Sequence, residues 1–177
     1  MDAFGRRRLA LATGYTLLAG VGWRWHLRAA PVARAQSDER EGALDAGRAE
    51  AELLARLNAC RAAVAQPALS ADPGLMTLAR WRSEGMAQTR DFSHDIGGRN
   101  VFDVMRERRL PFARASENLA FNNLEAAGAL DLAMAELLAS PAHRQTMLDP
   151  GFDRVGVGVA CGAERRTYVT QLFVQSA

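Results

Sequence analysis

Apolar residues recur at helical spacing through the first two thirds of the chain and at alternate positions near its end. Leu53, Leu57, Cys60 and Val64 share one helix face, which predicts a helix from about Asp45 to Ala65. Asp72-Pro73 supplies an N-cap followed by proline at the first helical position. It predicts a helix over Pro73–Thr89 that turns Leu75, Leu78, Ala79, the stem of Arg82 and Met86 inward, with Trp81 off that stripe. Asn100 caps a third helix, Val101–Arg109, with Val101, Val104 and Met105 inward, and Pro111 stops it. Phe112–Phe121 reads as irregular chain or a short strand. Asn122 or Asn123 caps a fourth helix over Leu124–Ala139, and Ser140-Pro141 ends it and begins a further turn through Met147.

Beyond the turn Asp149-Pro150-Gly151, the period changes. Val155, Val157, Val159 and Cys161 alternate with Gly156, Gly158 and Ala160. That is a strand with one bulky face and one face bare enough for another backbone to approach. Gly162–Arg166 links it to a last strand, Thr167–Gln175. Helices, a strand segment, a helix and a closing hairpin predict an α+β fold. The economical arrangement is a three-layer α-β-α sandwich with a small, mainly antiparallel central sheet.

The N-terminal part follows another logic. Leu9–Trp23 is 15 uncharged residues behind Arg6-Arg7-Arg8, and Ala33-Arg34-Ala35 follows. A basic head, a short apolar middle and a small-residue site predict an export signal over 1–35, cleaved after Ala35, with an uncleaved anchor as the alternative. No stretch reaches the roughly 18 apolar residues of a spanning helix. Residues 36–46 read as a flexible linker and 47–177 as the folded domain, placed outside the cytoplasm, secreted or periplasmic. The leader holds six of the 22 Arg and one of the 20 acidic residues, so the rest of the chain has a net charge of −3. The basic balance of the whole chain is therefore a leader effect and gives no argument for nucleic acid. Contact with a membrane is expected only through an uncleaved leader.

Cys60 and Cys161 both lie beyond the leader. In an exported chain they are expected to bond to each other. The alternative for Cys60 is a small core residue.

Apart from His26 in the leader, the histidines fall in two short phrases, Phe92-Ser93-His94 and Ser140-Pro141-Ala142-His143-Arg144. Between them lies Ser116-Glu117-Asn118. Glu117 is surrounded in sequence by apolar and small residues, and a carboxylate buried there needs a partner. The histidines are one set of candidates; Arg61, Arg114 and Arg144 are the other. If the three groups meet, Glu117 either fixes one imidazole as the floor of a polar cleft, or His94 and His143 ligate a divalent metal with Glu117 as third ligand or orienter. A serine triad using Ser93 or Ser140 lacks a nucleophile elbow and an oxyanion loop.

These phrases, with Leu57-Asn58-Ala59-Cys60-Arg61, Pro67-Ala68-Leu69, Asp72-Pro73-Gly74-Leu75, Glu117-Asn118-Leu119-Ala120, the Gly156–Gly158 strand and Gln171-Leu172-Phe173, resemble the CAP superfamily in its short bacterial form. The superfamily contains cysteine-rich secretory proteins, venom-allergen antigens and plant pathogenesis-related proteins. The resemblance implies an α-β-α sandwich, export, and a cleft with two His and two Glu. His94, Glu117 and His143 match three of those positions. Ser140 stands at the fourth, Glu136 lies one turn earlier, and Leu137 replaces the expected Trp. Members have been linked to sterol, lipid, glycan and protein binding, and no single reaction unites them. The resemblance thus implies an exported, non-catalytic binding module. Its cleft of His94, Glu117, His143 and Ser140 would engage a small envelope ligand, lipid or peptide. No cofactor is required; zinc or another divalent cation on His94 and His143 is the one the donors suit. The alternative is a metal-assisted hydrolase of peptide or glycan bonds, with Glu117 as base.

Overall fold

The structure, a computed structural model, describes residues 45–124 and 126–177. The expected leader and most of the expected linker lie outside the described residues.

Helix α1 (Ala46–Ala62) opens on Asp45, whose carboxylate accepts from the Arg48 amide at 3.2 Å. It buries Ala49, Leu53 and Leu57. It ends earlier than its apolar spacing predicts. The amides of Val64 and Ala65 turn back onto the carbonyls of Arg61 and Ala62, and Ala65 takes a φ of 56°. Val64 therefore leaves the stripe and is 50% exposed. After the short strand β1 (Ser70–Ala71), α2 (Pro73–Thr89) starts as predicted. Asp72 accepts from the amides of Gly74 and Leu75 at 2.9 and 3.0 Å. Strands β2 (Asp95–Ile96) and β3 (Arg99–Asn100) form a minimal hairpin on Gly97 and Gly98, both at positive φ, as a primed turn demands. Helix α3 (Val101–Glu107), strand β4 (Arg114–Asn122), helices α4 (Ala126–Ala139) and α5 (Pro141–Leu148), and strands β5 (Arg154–Cys161) and β6 (Thr167–Gln175) follow.

The main sheet has the order β1-β5-β6-β4. Strand β1 runs parallel to β5 and the other pairs are antiparallel. Strand β4 is full length and pairs with β6 over all nine residues. Its sequence hides this, because both faces are covered: Leu119 and Ala120 are buried on opposite sides, and alternation disappears when neither face is solvated.

The register sorts the side chains into two layers. Val155, Val157, Val159, Val169 and Phe173 pack with α1, α4 and Met147 of α5. On the other face Leu172 and Val174 pack with α2 and α3. Gly156 and Gly158 lie on that second face. A Cβ on Gly156 would stand 2.2 Å from the backbone of Leu75, and one on Gly158 2.2 Å from that of Ala79. The bare face expected from the sequence is thus filled by the α2 backbone itself. Ser83 locks the contact, bonding the Gly158 carbonyl at 3.0 Å and the Thr170 hydroxyl at 2.9 Å.

Two buried charges brace the layers. Arg61 is fully buried and donates to the carbonyls of Pro67, Met147 and Asp149 at 2.7, 2.9 and 3.0 Å. Burial pushes its guanidinium below the usual arginine range, yet it caps carbonyls left open at the end of α5. It is therefore not the partner of Glu117. Glu50 of α1 pairs with Arg80 of α2 and lies 3.4 Å from the Val159 amide. This closes the outer edge of β5 where β1 does not reach.

The expected Cys60–Cys161 bond is absent, and both thiols are free. The reason is direction. Glu50 sits at Val159 and Arg61 at Phe152, so α1 runs opposite to β5. Cys60 lies beside Arg61 at the start of β5, and Cys161 is its last residue. Seven residues of strand separate those ends by about 23 Å, whereas a disulfide needs Cα atoms within about 7 Å.

Gly158→Ala must drive a methyl group into the Ala79 carbonyl, which no rotamer relieves. We expect a loss of about 3 kcal/mol, read as a lower urea midpoint. Gly128→Ala, in an exposed turn of α4 where the nearest atom is 4.0 Å away, should instead add up to about 1 kcal/mol.

Candidate functional site

Arg82 lies one turn beyond Leu78 and one before Met86, on the stripe of α2 that faces the sheet. Its side chain and that of Glu117 on β4 are 0% and 1% exposed. The guanidinium Nε donates to Glu117 Oε1 at 2.9 Å, and Nη2 reaches Oε2 at 3.4 Å. Nη2 also donates to the Ser93 carbonyl at 2.8 Å. One arginine thus fixes both the buried carboxylate and the loop in front of it. Its Nη1 is buried and has no hydrogen-bond partner among the described residues.

That loop presents His94. The imidazole Nδ1 lies 2.7 Å from Glu117 Oε2, while the side chain is 60% exposed. A carboxylate only accepts, so Nδ1 carries the hydrogen of this contact and Nε2 is left outside it. The result is an exposed imidazole standing on a buried ion pair.

His143 and Ser140 are placed differently. Both belong to α5 and its N-cap, on the other face of the sheet. Asn118, the residue after Glu117, points to that face by strand alternation and donates to the His143 carbonyl at 3.1 Å. His143 and Ser140 are half-buried, and Ser140 makes no capping bond with its side chain. Among the described residues, neither side chain is hydrogen-bonded to His94 or Glu117. The structure therefore joins His94 to Glu117 and sets the α5 pair across the edge strand β4.

The other expected acids and bases are elsewhere. Glu136 is exposed and Leu137 fills the core. Arg114 sits over Phe152, 4.2 Å from its ring centre, and bonds Asp149 at 2.8 Å. That guanidinium holds the Asp149 carboxyl below the usual carboxylate range. Among the described residues no three His, Cys, Asp or Glu side chains converge as a metal centre would require. Both Glu117 oxygens are already engaged by Arg82 and His94, so the donors present do not fit a complete metal site.

Arg82 is the residue that sequence reading missed. The signal was there: a charged residue on a buried helix stripe needs a buried opposite charge.

An α-β-α sandwich with an imidazole–carboxylate pair at the edge of its sheet defines the class of protein. Residues 54–173 match the model of the cysteine-rich secretory protein family. The chain belongs to this family, CAP. Among solved structures, an extracellular protein of Bacillus anthracis containing an SCP domain is 23% identical, with a TM-score of 0.67. The match covers 84% of this chain but 45% of that protein, so the chain spans less than half of that relative. An outer surface protein of Borrelia burgdorferi has a TM-score of 0.67 at 17% identity, over 76% of this chain and 97% of the other. A cysteine-rich secretory protein of Staphylococcus aureus has a TM-score of 0.59 at 15% identity, over 75% and 40%. At these identities the likeness shows the shared fold. No curated protein matches the chain.

Removing Arg82 leaves the Glu117 charge buried without compensation. Arg82→Met should cost about 3–5 kcal/mol. The double variant Arg82→Met/Glu117→Gln should recover much of that loss. Urea unfolding of the four proteins of this cycle measures the coupling. Additive losses would show that the pair is not coupled.

Proposed function

We propose that the protein is an exported, non-catalytic binding module that holds a small envelope ligand, lipid or peptide at His94. The observation that carries this reading is the exposed His94 ring anchored by Nδ1 to a carboxylate that Arg82 holds in place. Such a ring is oriented before any ligand arrives, which lowers the ordering cost of binding. The α5 side, with Ser140 and His143 across the β4 edge, supplies the second wall of the site. Export follows from the leader pattern and agrees with the extracellular and outer surface descriptions of the Bacillus and Borrelia proteins.

The binding reading needs no metal. A hydrolase would need Glu117 as a base, and its oxygens are engaged by Arg82 and His94. Binding by His94 leaves that pair intact.

The test is imidazole NMR of the full chain, titrated with short-chain phospholipids, peptides and cell-wall fragments. A ligand held at the site shifts the His94 Nε2 resonance, and His94→Ala weakens its binding at least about tenfold. Ligands bound equally by parent and His94→Ala would overturn the reading. A parallel zinc titration should show equal uptake by the parent and by His94→Ala/His143→Ala. Chelator-sensitive turnover of peptidoglycan or peptides, abolished by Glu117→Ala, would replace binding with hydrolysis.

A further inference from the structure

A recess of about 210 Å³ opens at the first turn of α2, whereas the His94 loop follows the last turn of that helix. Its walls are apolar: Leu75 of α2, Leu110 and Pro111 of the chain after α3, and Val174 of β6. Leu75 and Val174 are each buried, so the floor belongs to the core between α2 and the sheet. The chain beyond β6 forms part of the rim and is held in place. The Ser176 amide and hydroxyl both donate to Asp153, at 2.7 and 2.6 Å.

Two charges stand at the mouth, Asp72 and Arg154. Asp72 Oδ1 accepts from the amides of Gly74 and Leu75. Its Oδ2 lies 3.9 Å from Arg154 Nη1, and Arg154 Nε lies 3.6 Å from Asp153 Oδ2. Both separations are too long for a hydrogen bond. The half-exposed guanidinium therefore feels two carboxylates without being tied to either. A cationic donor and an anionic acceptor, 3.9 Å apart, adjoin an apolar floor.

We infer that this recess binds a free α-amino acid with an aliphatic side chain. The ammonium group donates to Asp72 Oδ2, the carboxylate accepts from the Arg154 guanidinium, and the side chain lies on Leu75, Leu110 and Val174. Charge decides between occupants. A simple anion would meet Asp72 and Asp153 beside its arginine, and a simple cation would meet Arg154 beside its aspartate. A zwitterion carries both charges on one carbon and answers both groups, each through a charge-assisted bond. Size decides against larger molecules. The volume is that of about seven waters and lies below the roughly 300 Å³ at which pockets for drug-sized ligands begin. An acyl chain, a glycan or a peptide would leave most of its surface outside. The site is separate from His94 and does not rest on the role proposed for that residue.

The experiment titrates the full chain with L-leucine, following the methyl resonances of Leu75, Leu110 and Val174 and the Arg154 Nε resonance. Two analogues, 4-methylpentanoate and 3-methylbutylamine, keep the leucine side chain and one charge each. Leucine should bind with a Kd on the order of 1 mM or below, and each analogue at least about tenfold more weakly. Asp72→Asn keeps a good N-cap for α2, and Arg154→Gln changes only an exposed guanidinium, so both variants should stay folded. Each should weaken leucine at least about tenfold, while His94→Ala should leave its affinity unchanged. No methyl shift up to about 20 mM leucine, parent affinity in either Asp72→Asn or Arg154→Gln, or an analogue as tight as leucine overturns the site. Loss of leucine binding in His94→Ala would place the amino acid elsewhere and overturn it too.

Discussion

The rest of the molecule depends on how closely α2 lies against β5. Two glycines remove the side chains that would separate a helix from a sheet, and the α2 backbone occupies the space where their Cβ atoms would be. Interiors are packed too tightly to absorb a displacement there. The consequence reaches two strands away. With α2 seated on β5, its Arg82 extends across β6 to Glu117 on the edge strand. A helix standing further out would leave the same guanidinium short of the carboxylate. The glycine alternation of β5 is thus a positioning device for a charge on a different element.

The ion pair so formed has a double use. Taking both charges out of water is costly, and pairing offsets that cost only when the remaining donors are also used. Here one Nη2 hydrogen goes to the Ser93 carbonyl, so the compensation for burial is also what fastens the His94 loop. Structural and site roles therefore share one side chain. A change in the core contact therefore reaches the exposed imidazole through one arginine.

Much of the fold was legible in the chain. Asp72-Pro73 begins α2 in sequence and in space, and the Val/Gly alternation of β5 is a strand whose bare face meets a backbone. Two features were hidden for opposite reasons. Strand β4 lacks alternation because both of its faces are buried, so its pattern carries no period. The cysteines were expected to pair because of the predicted leader, but pairing depends on the relative direction of α1 and β5, which is a tertiary property. The partner of Glu117 was readable in principle. Arg82 occupied a core position on its helix, and treating only its stem as buried concealed a charge in need of an opposite. His94 and Glu117 come together through that same arginine. His143 is set by α5 and bonds Asn118 through its backbone alone, so no rule of sequence spacing joins it to them.

The placement of β4 explains why the chemistry gathers where it does. Among the described residues it pairs with β6 alone, so residues from both layers of helices approach it at the edge of the sheet. Alternation then divides the labour. Odd positions from Glu117 to Phe121 face α2 and the His94 loop, and even positions from Ser116 to Asn122 face α4 and α5. Both Glu117 oxygens are engaged, by Arg82 and His94, and its side chain is 1% exposed, whereas the side chain of His94 is 60% exposed and Phe121 is 41% exposed. The acid is thus buried while the imidazole and the Phe121 ring stand toward solvent.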